Sequence, residues 1–226
     1  MPPTEPPTTL GEQLLLLSLD DESGTAKEQA KVALAVSAAS LVELALAGRI
    51  DVTDDRVTVV DATPPGEPAL DAALAAVAGR DRPGRTGDWI NRLRTDAVAR
   101  ARAGLLEKGL VREERRKVLG LFPARRYPEA DGSVEAAVRQ RLDAVVLRGS
   151  VTPDERTASL VALLHGAKLH RLAFPDADVR RVEAAMESVA HGRWSATAVR
   201  HVVRAAESAL TATVAATVAT NLAAGG

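Results

Sequence analysis

TLGEQLLLLSLDDESG, at Thr9–Gly24, and SLVELALAGRIDVTDDRVTVVDATPPGEPALDAAL, at Ser40–Leu74, are the two stretches whose pattern sets the fold. Leu14, Leu15, Leu16, Leu17 and Leu19 make an apolar run too short to span a bilayer, so it belongs in a core. Upstream of Gly48, the large residues Leu34, Leu41, Leu44 and Leu46 recur at near-helical spacing among alanines, and Gly48 supplies the residue that commonly follows a helix end. Val52, Val57 and Val59, split by Asp54 and Asp55, alternate as the strands of a hairpin.

Taken in order, these pieces resemble the Golgi phosphoprotein 3 family: a leucine run closing on an acidic LDDESG turn, a helix ending in LVELALAGRI, a two-stranded ribbon, and a PPG loop before an LDAAL helix. The resemblance extends, less specifically, through Asp88-Trp89-Ile90, LLEKGLV at Leu105–Val111 and VLGLFPARRYP at Val118–Pro128. In this looser way it covers the chain from Leu10 to about Leu222. It implies a mostly helical fold around a buried C-terminal helix.

Composition agrees with a helical protein. Aromatic residues are 2% of the 226, and alanine, leucine and valine carry most of the 46% that is hydrophobic, which favours closely packed helices over a β-sandwich. The absence of cysteine excludes a disulfide framework and thiolate-bound metal and suits a reducing compartment, here the cytoplasm. MPPTEPPTT lacks the positive start and apolar centre of a signal peptide and reads as a disordered, proline-rich lead-in over residues 1–9, with one helical domain over 10–224. Arginine outnumbers lysine 24 to 5, as in proteins from GC-rich bacterial genomes. A formal net charge of −1 means that attraction to nucleic acid or an anionic membrane must come from a local patch.

The pattern predicts helices at Leu10–Leu17, Ala26–Ala47, Ala69–Ala78, Asp88–Lys108, Val134–Leu147, Pro153–Phe174, Asp176–Ala190 and Ser195–Ala223. Hairpins fall near Ile50–Val60 and Leu110–Tyr127, and Gly79–Arg85 is the plainest loop. Asp154 or Thr152 caps the helix opened by Pro153, and Ser195 caps the last. From Ser208 to Ala224 there is no charge, but Thr211, Thr213, Thr217, Thr220 and Asn221 make a poor membrane span. This segment is expected to be a central core helix.

Catalytic patterns are missing. His165, His170, His191 and His201 show no HxxxH or HxH spacing, so no metal and no cofactor are expected. Asp20, Asp21 and Glu22 read as a solvated turn, and no GxSxG, GxGxxG or P-loop motif occurs. The chain is expected to bind rather than catalyse. A rival reading comes from the repeated order of helix, glycine, strand, turn and strand, which a winged-helix DNA-binding regulator also shows. The first such unit opposes it: its helix has no basic face, and Asp54 and Asp55 would repel phosphate. The second carries Arg112, Arg115, Arg116 and Lys117, yet nucleic acid is not the expected partner.

The resemblance implies instead a peripheral membrane or adaptor protein that recognises phosphatidylinositol 4-phosphate and retains protein cargo. In the family the headgroup pocket is built from a tryptophan and an arginine ahead of the LVELAL helix end and two arginines, three apart, ahead of LLEKG. Counted from Glu43 and Gly109, those positions hold Glu28, Ser37, Thr95 and Val98, so the pocket does not transfer. Displaced cations supply the candidate lipid-phosphate site: Arg92, Arg94, Arg100 and Arg102, with Lys27 and Lys31 facing them. On a helix, Arg92, Arg100 and Arg102 lie opposite Ile90, Leu93, Ala97 and Ala101. A second candidate surface, for membrane or for a second copy of the chain, is the hairpin with Leu121, Phe122, Arg125, Arg126 and Tyr127. The expected partner is thus an anionic phospholipid at the inner face of the plasma membrane.

Overall fold

The leucine run folds as α1 (Leu10–Ser18), and its start is fixed by a reciprocal cap. Glu12 N–H donates to Thr9 Oγ1 at 3.1 Å, and Thr9 N–H donates to Glu12 Oε2 at 2.7 Å. Every residue of α1 is buried, so the run is apolar all round because helices surround it. At roughly 1.5–3 kcal/mol for each fully buried leucine, this short helix is a large part of what holds the fold together. The computed structural model describes residues 7–20, 24–118, 122–192, 202–212 and 215–216.

The second central helix, α2 (Gln29–Leu46), packs against α1 and against a long helix, α4 (Thr86–Glu107). By length and composition α2 is apolar enough to cross a membrane, but most of it is enclosed by the other helices. The contact with α4 is set by a stripe on that helix, Trp89, Ile90, Leu93, Ala97, Ala101 and Leu105, all buried. Ser37 sits inside this contact, fully buried, and donates to the Ile90 carbonyl at 2.8 Å.

Between these helices come β1 (Ile50–Thr53) and β2 (Arg56–Val59), antiparallel with Ile50 opposite Val59 and Val52 opposite Val57. Asp54 and Asp55, at φ 50° and 61°, form the left-handed two-residue turn that such a hairpin prefers. Next is α3 (Pro68–Ala78), opened by its proline. The stretch expected to be a plain loop at Gly79–Arg85 ends in a strand, β3 (Gly84–Arg85), which pairs with the outer edge of β2 to make a three-stranded sheet. A two-residue strand leaves no periodic trace in sequence; it forms because the free edge of β2 offers it backbone partners.

After α4, β4 (Glu114–Val118) and β5 (Phe122–Arg126) form the second hairpin. The rest is helical: α5 (Ser133–Leu142), continued by a π-helical turn at Asp143–Leu147, then α6 (Glu155–Gly166), α7 (His170–Ala173) and α8 (Val179–Ala190). Asp154 caps α6, accepting from Thr157 N–H at 2.6 Å; Ser195 lies outside the described residues. The single helix expected over Pro153–Phe174 is broken after Gly166, with Lys168 in the left-handed region at φ 55°.

The chain is therefore mainly helical with short hairpins, as the sequence pattern implied. α1 and α2 lie at its centre. Of the last helix, expected over Ser195–Ala223, the described residues 202–212 bury one face, through Val202, Val203, Ala206 and Leu210, and expose Arg204, Ser208, Thr211 and Ala212. Residues 217–226 lie outside the described part.

Candidate functional site

Gly24 decides how the site is walled. It has φ 58°, and a Cβ there would collide with the Tyr127–Pro128 backbone, so only glycine lets the end of the LDDESG turn run against the exit of β5. Tyr127 N–H then donates to the Gly24 carbonyl at 3.2 Å. With Leu19 and Ala26 bridged just before, this contact closes one side of a groove of about 840 Å³ between α2 and α4.

The groove has an apolar floor and a cationic rim. Leu15, Leu19, Val32, Ala33 and Val98 line its base, the small Ala26 and Ala30 keep it open, and Arg94 and Arg102 stand on its α4 side. Arg94, Val98 and Arg102 follow one another at four-residue steps, so they share a face of α4, with the two arginine Cα atoms roughly 12 Å apart. The Arg102 guanidinium lies over the Tyr127 ring, 4.6 Å from its centroid, which holds it in place while leaving its N–H groups to a ligand. Among the described residues neither arginine has a carboxylate partner, and none of the groove-lining residues is acidic. The α2 N-terminus, where Gln29 and Ala30 line the groove, has no side-chain cap, so its backbone adds positive potential.

Other clefts mix acids with bases. One holds Asp20, Asp143 and Asp176 with Lys27, Arg139 and Arg171, another Asp54, Asp55 and Asp88 with Arg85 and Arg204, and a third Glu43 and Glu67 with Arg141 and Arg156. In the third, Glu43 is buried and pairs with Arg156 at 2.7 Å; burial pushes its carboxyl above the ordinary value. His165 Nδ1 is 2.6 Å from Glu207 Oε1, and His170 Nδ1 is 3.6 Å from Glu183. His191 Nε2 is 3.8 Å from Glu207 Oε2, and His201 is outside the described residues.

The six candidate phosphate-binding residues are thus divided. Arg94 and Arg102 meet in the groove. Arg92 lies about 160° around α4 from Arg94, over the Trp89 ring, and Arg100 is paired with Asp96 at 2.6 Å. Lys27 pairs with Asp20 at 3.2 Å and borders a different cleft, and Lys31 pairs with Glu28 at 2.7 Å. Arg92 and Arg100 are not among the residues that line the groove with Arg94 and Arg102: Arg92 turns to Trp89, and Asp96 engages Arg100. Of the family-equivalent positions, Thr95 and Val98 do line the groove, whereas Ser37 is locked in the α2–α4 contact. Sequence reasoning missed the groove itself, although Ala26, Ala30 and Ala33, spaced three and four apart, were a signal for a cleft. In the second hairpin, Arg126 and Tyr127 are half-buried; Leu121 and the Phe122 and Arg125 side chains lie outside the described part.

Comparison with known proteins places this geometry in context. Residues 10–206 match the profile of the family described as Golgi phosphoprotein 3 (GPP34). The chain is also similar to vacuolar protein sorting-associated protein 74 of Eremothecium gossypii, 29% identical over 203 aligned residues that cover 73% of this chain. It spans 61% of that relative's length.

Proposed function

The chain belongs to the Golgi phosphoprotein 3 family, and from that premise we propose that it is a non-catalytic peripheral membrane adaptor whose α2–α4 groove binds the phosphate of an anionic phospholipid, phosphoinositide-like in its headgroup. One observation carries the reading: the groove unites two guanidiniums free of carboxylate partners with a lining that contains no acidic residue among the described ones. Arginine donors suit a phosphate's geometry, and the apolar floor suits the glycerol end of a lipid better than a free anion.

The same reading assigns the β4–β5 hairpin, with Leu121, Phe122, Arg125, Arg126 and Tyr127, to contact with the membrane or with a second copy of the chain, and leaves a place for a protein cargo. It locates the protein in the cytoplasm, at the inner face of the plasma membrane. Duplex DNA is disfavoured by Asp54 and Asp55 at the tip of the first hairpin, where a wing would meet phosphate. The test is sedimentation with vesicles of graded anionic content. Binding should rise with anionic lipid and weaken with salt, while a DNA duplex binds poorly. Tight duplex binding without vesicle binding would support the winged-helix alternative instead.

A further inference from the structure

Trp89 is buried to 3% exposure, yet two arginines reach its ring. The Arg80 guanidinium carbon is 5.7 Å from the ring centroid and that of Arg92 is 5.6 Å, so the two are no more than about 11 Å apart. A guanidinium held against an aromatic ring keeps its N–H groups for a further partner and has already lost much of its rotamer freedom. Neither arginine has a carboxylate partner among the described residues. Asp96, one turn beyond Arg92, is engaged by Arg100. Arg82 is exposed beside them, and Arg56, also exposed, donates to the Pro83 carbonyl at 3.0 Å, which brings it to the same edge.

We propose that Arg80 and Arg92, braced on Trp89 and flanked by Arg82 and Arg56, form a docking site for an acidic polypeptide segment. Three features select this occupant. The helical pitch puts Arg92 about 160° from Arg94, so a membrane seated on the α2–α4 groove leaves this surface free for a protein. The cationic surface is short, four arginines at one edge, which matches a short acidic segment rather than the long phosphate track of a nucleic acid. In an extended segment, acids two or three residues apart are about 7–10 Å apart, a span that two guanidiniums so placed can clamp. The first of these features rests on lipid binding by the groove; the peptide assay does not.

The test uses the full chain and a fluorescein-labelled octapeptide of alternating glutamate and serine, with its glutamine counterpart as control, read by anisotropy at low and high salt. The acidic peptide should bind, lose affinity with salt and outcompete the glutamine peptide. Arg80→Gln/Arg92→Gln should weaken it roughly tenfold, and Arg94→Ala/Arg102→Ala should leave it unchanged. If the first variant melts early, Arg82→Gln, a change at an exposed side chain, replaces it and should weaken binding roughly threefold. Equal binding of the two peptides, no binding of the acidic one, or wild-type affinity in the folded variants would overturn the proposal. So would a loss of vesicle binding in Arg80→Gln/Arg92→Gln as large as in Arg94→Ala/Arg102→Ala, because the surface would then belong to the membrane contact.

Discussion

Replacing Thr95 and Val98 by arginine places guanidiniums at the two positions where the family pattern has them, and the structure says what should follow. Thr95 is exposed and Val98 half-buried, and both line the groove beside Arg94 and Arg102. A cation brought to an anionic bilayer surface contributes about 1 kcal/mol, so the pair should strengthen vesicle binding by about 2 kcal/mol, or roughly thirtyfold. Opposing terms are smaller: like charges one helical turn apart cost a few tenths of a kcal/mol each, and removing a half-buried valine costs about 1 kcal/mol of stability. The folded state should therefore survive with a modestly lower Tm. Sedimentation with vesicles containing phosphatidylinositol 4-phosphate measures the gain. Ala75→Arg/Ala76→Arg, at exposed sites on α3, adds the same charge away from the groove as a control. A control that gains as much as the groove variant, or a folded groove variant with unchanged affinity, would refute the reasoning that the groove meets the lipid.

Two further expectations concern what holds the site in place. In Gly104→Ala the new Cβ would overlap Glu12 Oε1, which is buried, accepts from Lys108 Nζ at 2.9 Å and belongs to the carboxylate that caps α1. Displacing that carboxylate should outweigh the gain in helix propensity and destabilise the protein by about 3 kcal/mol in urea unfolding; a neutral or stabilising effect would contradict it. Glu43 gives a pH dependence: burial holds its folded pKa above the ordinary 4.5, against the opposing pull of Arg156. The folded chain thus binds the proton more tightly than the unfolded one. The stability of the wild type relative to Glu43→Gln should fall as pH rises from 4.5 through the raised folded pKa, and a difference that stays flat across that range would contradict the assignment.

Much of the fold was legible because it rests on local pattern. The leucines of α1 and the aspartate turn of the first hairpin are short-range signals that form where expected, and the Thr9/Glu12 cap and the proline that opens α3 are local signals that the structure adds. β3 was invisible because its two residues are ordered by a partner strand rather than by their own preference. The site was read less well for a similar reason. Six cations could be named, but which of them share a surface depends on helical phase and on carboxylates elsewhere in the chain. Asp96 engages Arg100, Asp20 engages Lys27 and Glu28 engages Lys31, and Arg92 turns to Trp89. Thr95 and Val98 line the groove, even though neither has the residue type the family pattern requires.

The most direct measurement compares Arg94→Ala/Arg102→Ala with Arg92→Ala/Arg100→Ala in sedimentation with anionic vesicles, both variants being checked for an unchanged Tm. They remove the same charge from the same helix but from different faces of it. If the α2–α4 groove is the lipid site, the first variant should lose roughly thirtyfold in affinity and the second no more than about threefold. Equal losses, or the larger loss in Arg92→Ala/Arg100→Ala, would show that lipid is not bound in the groove.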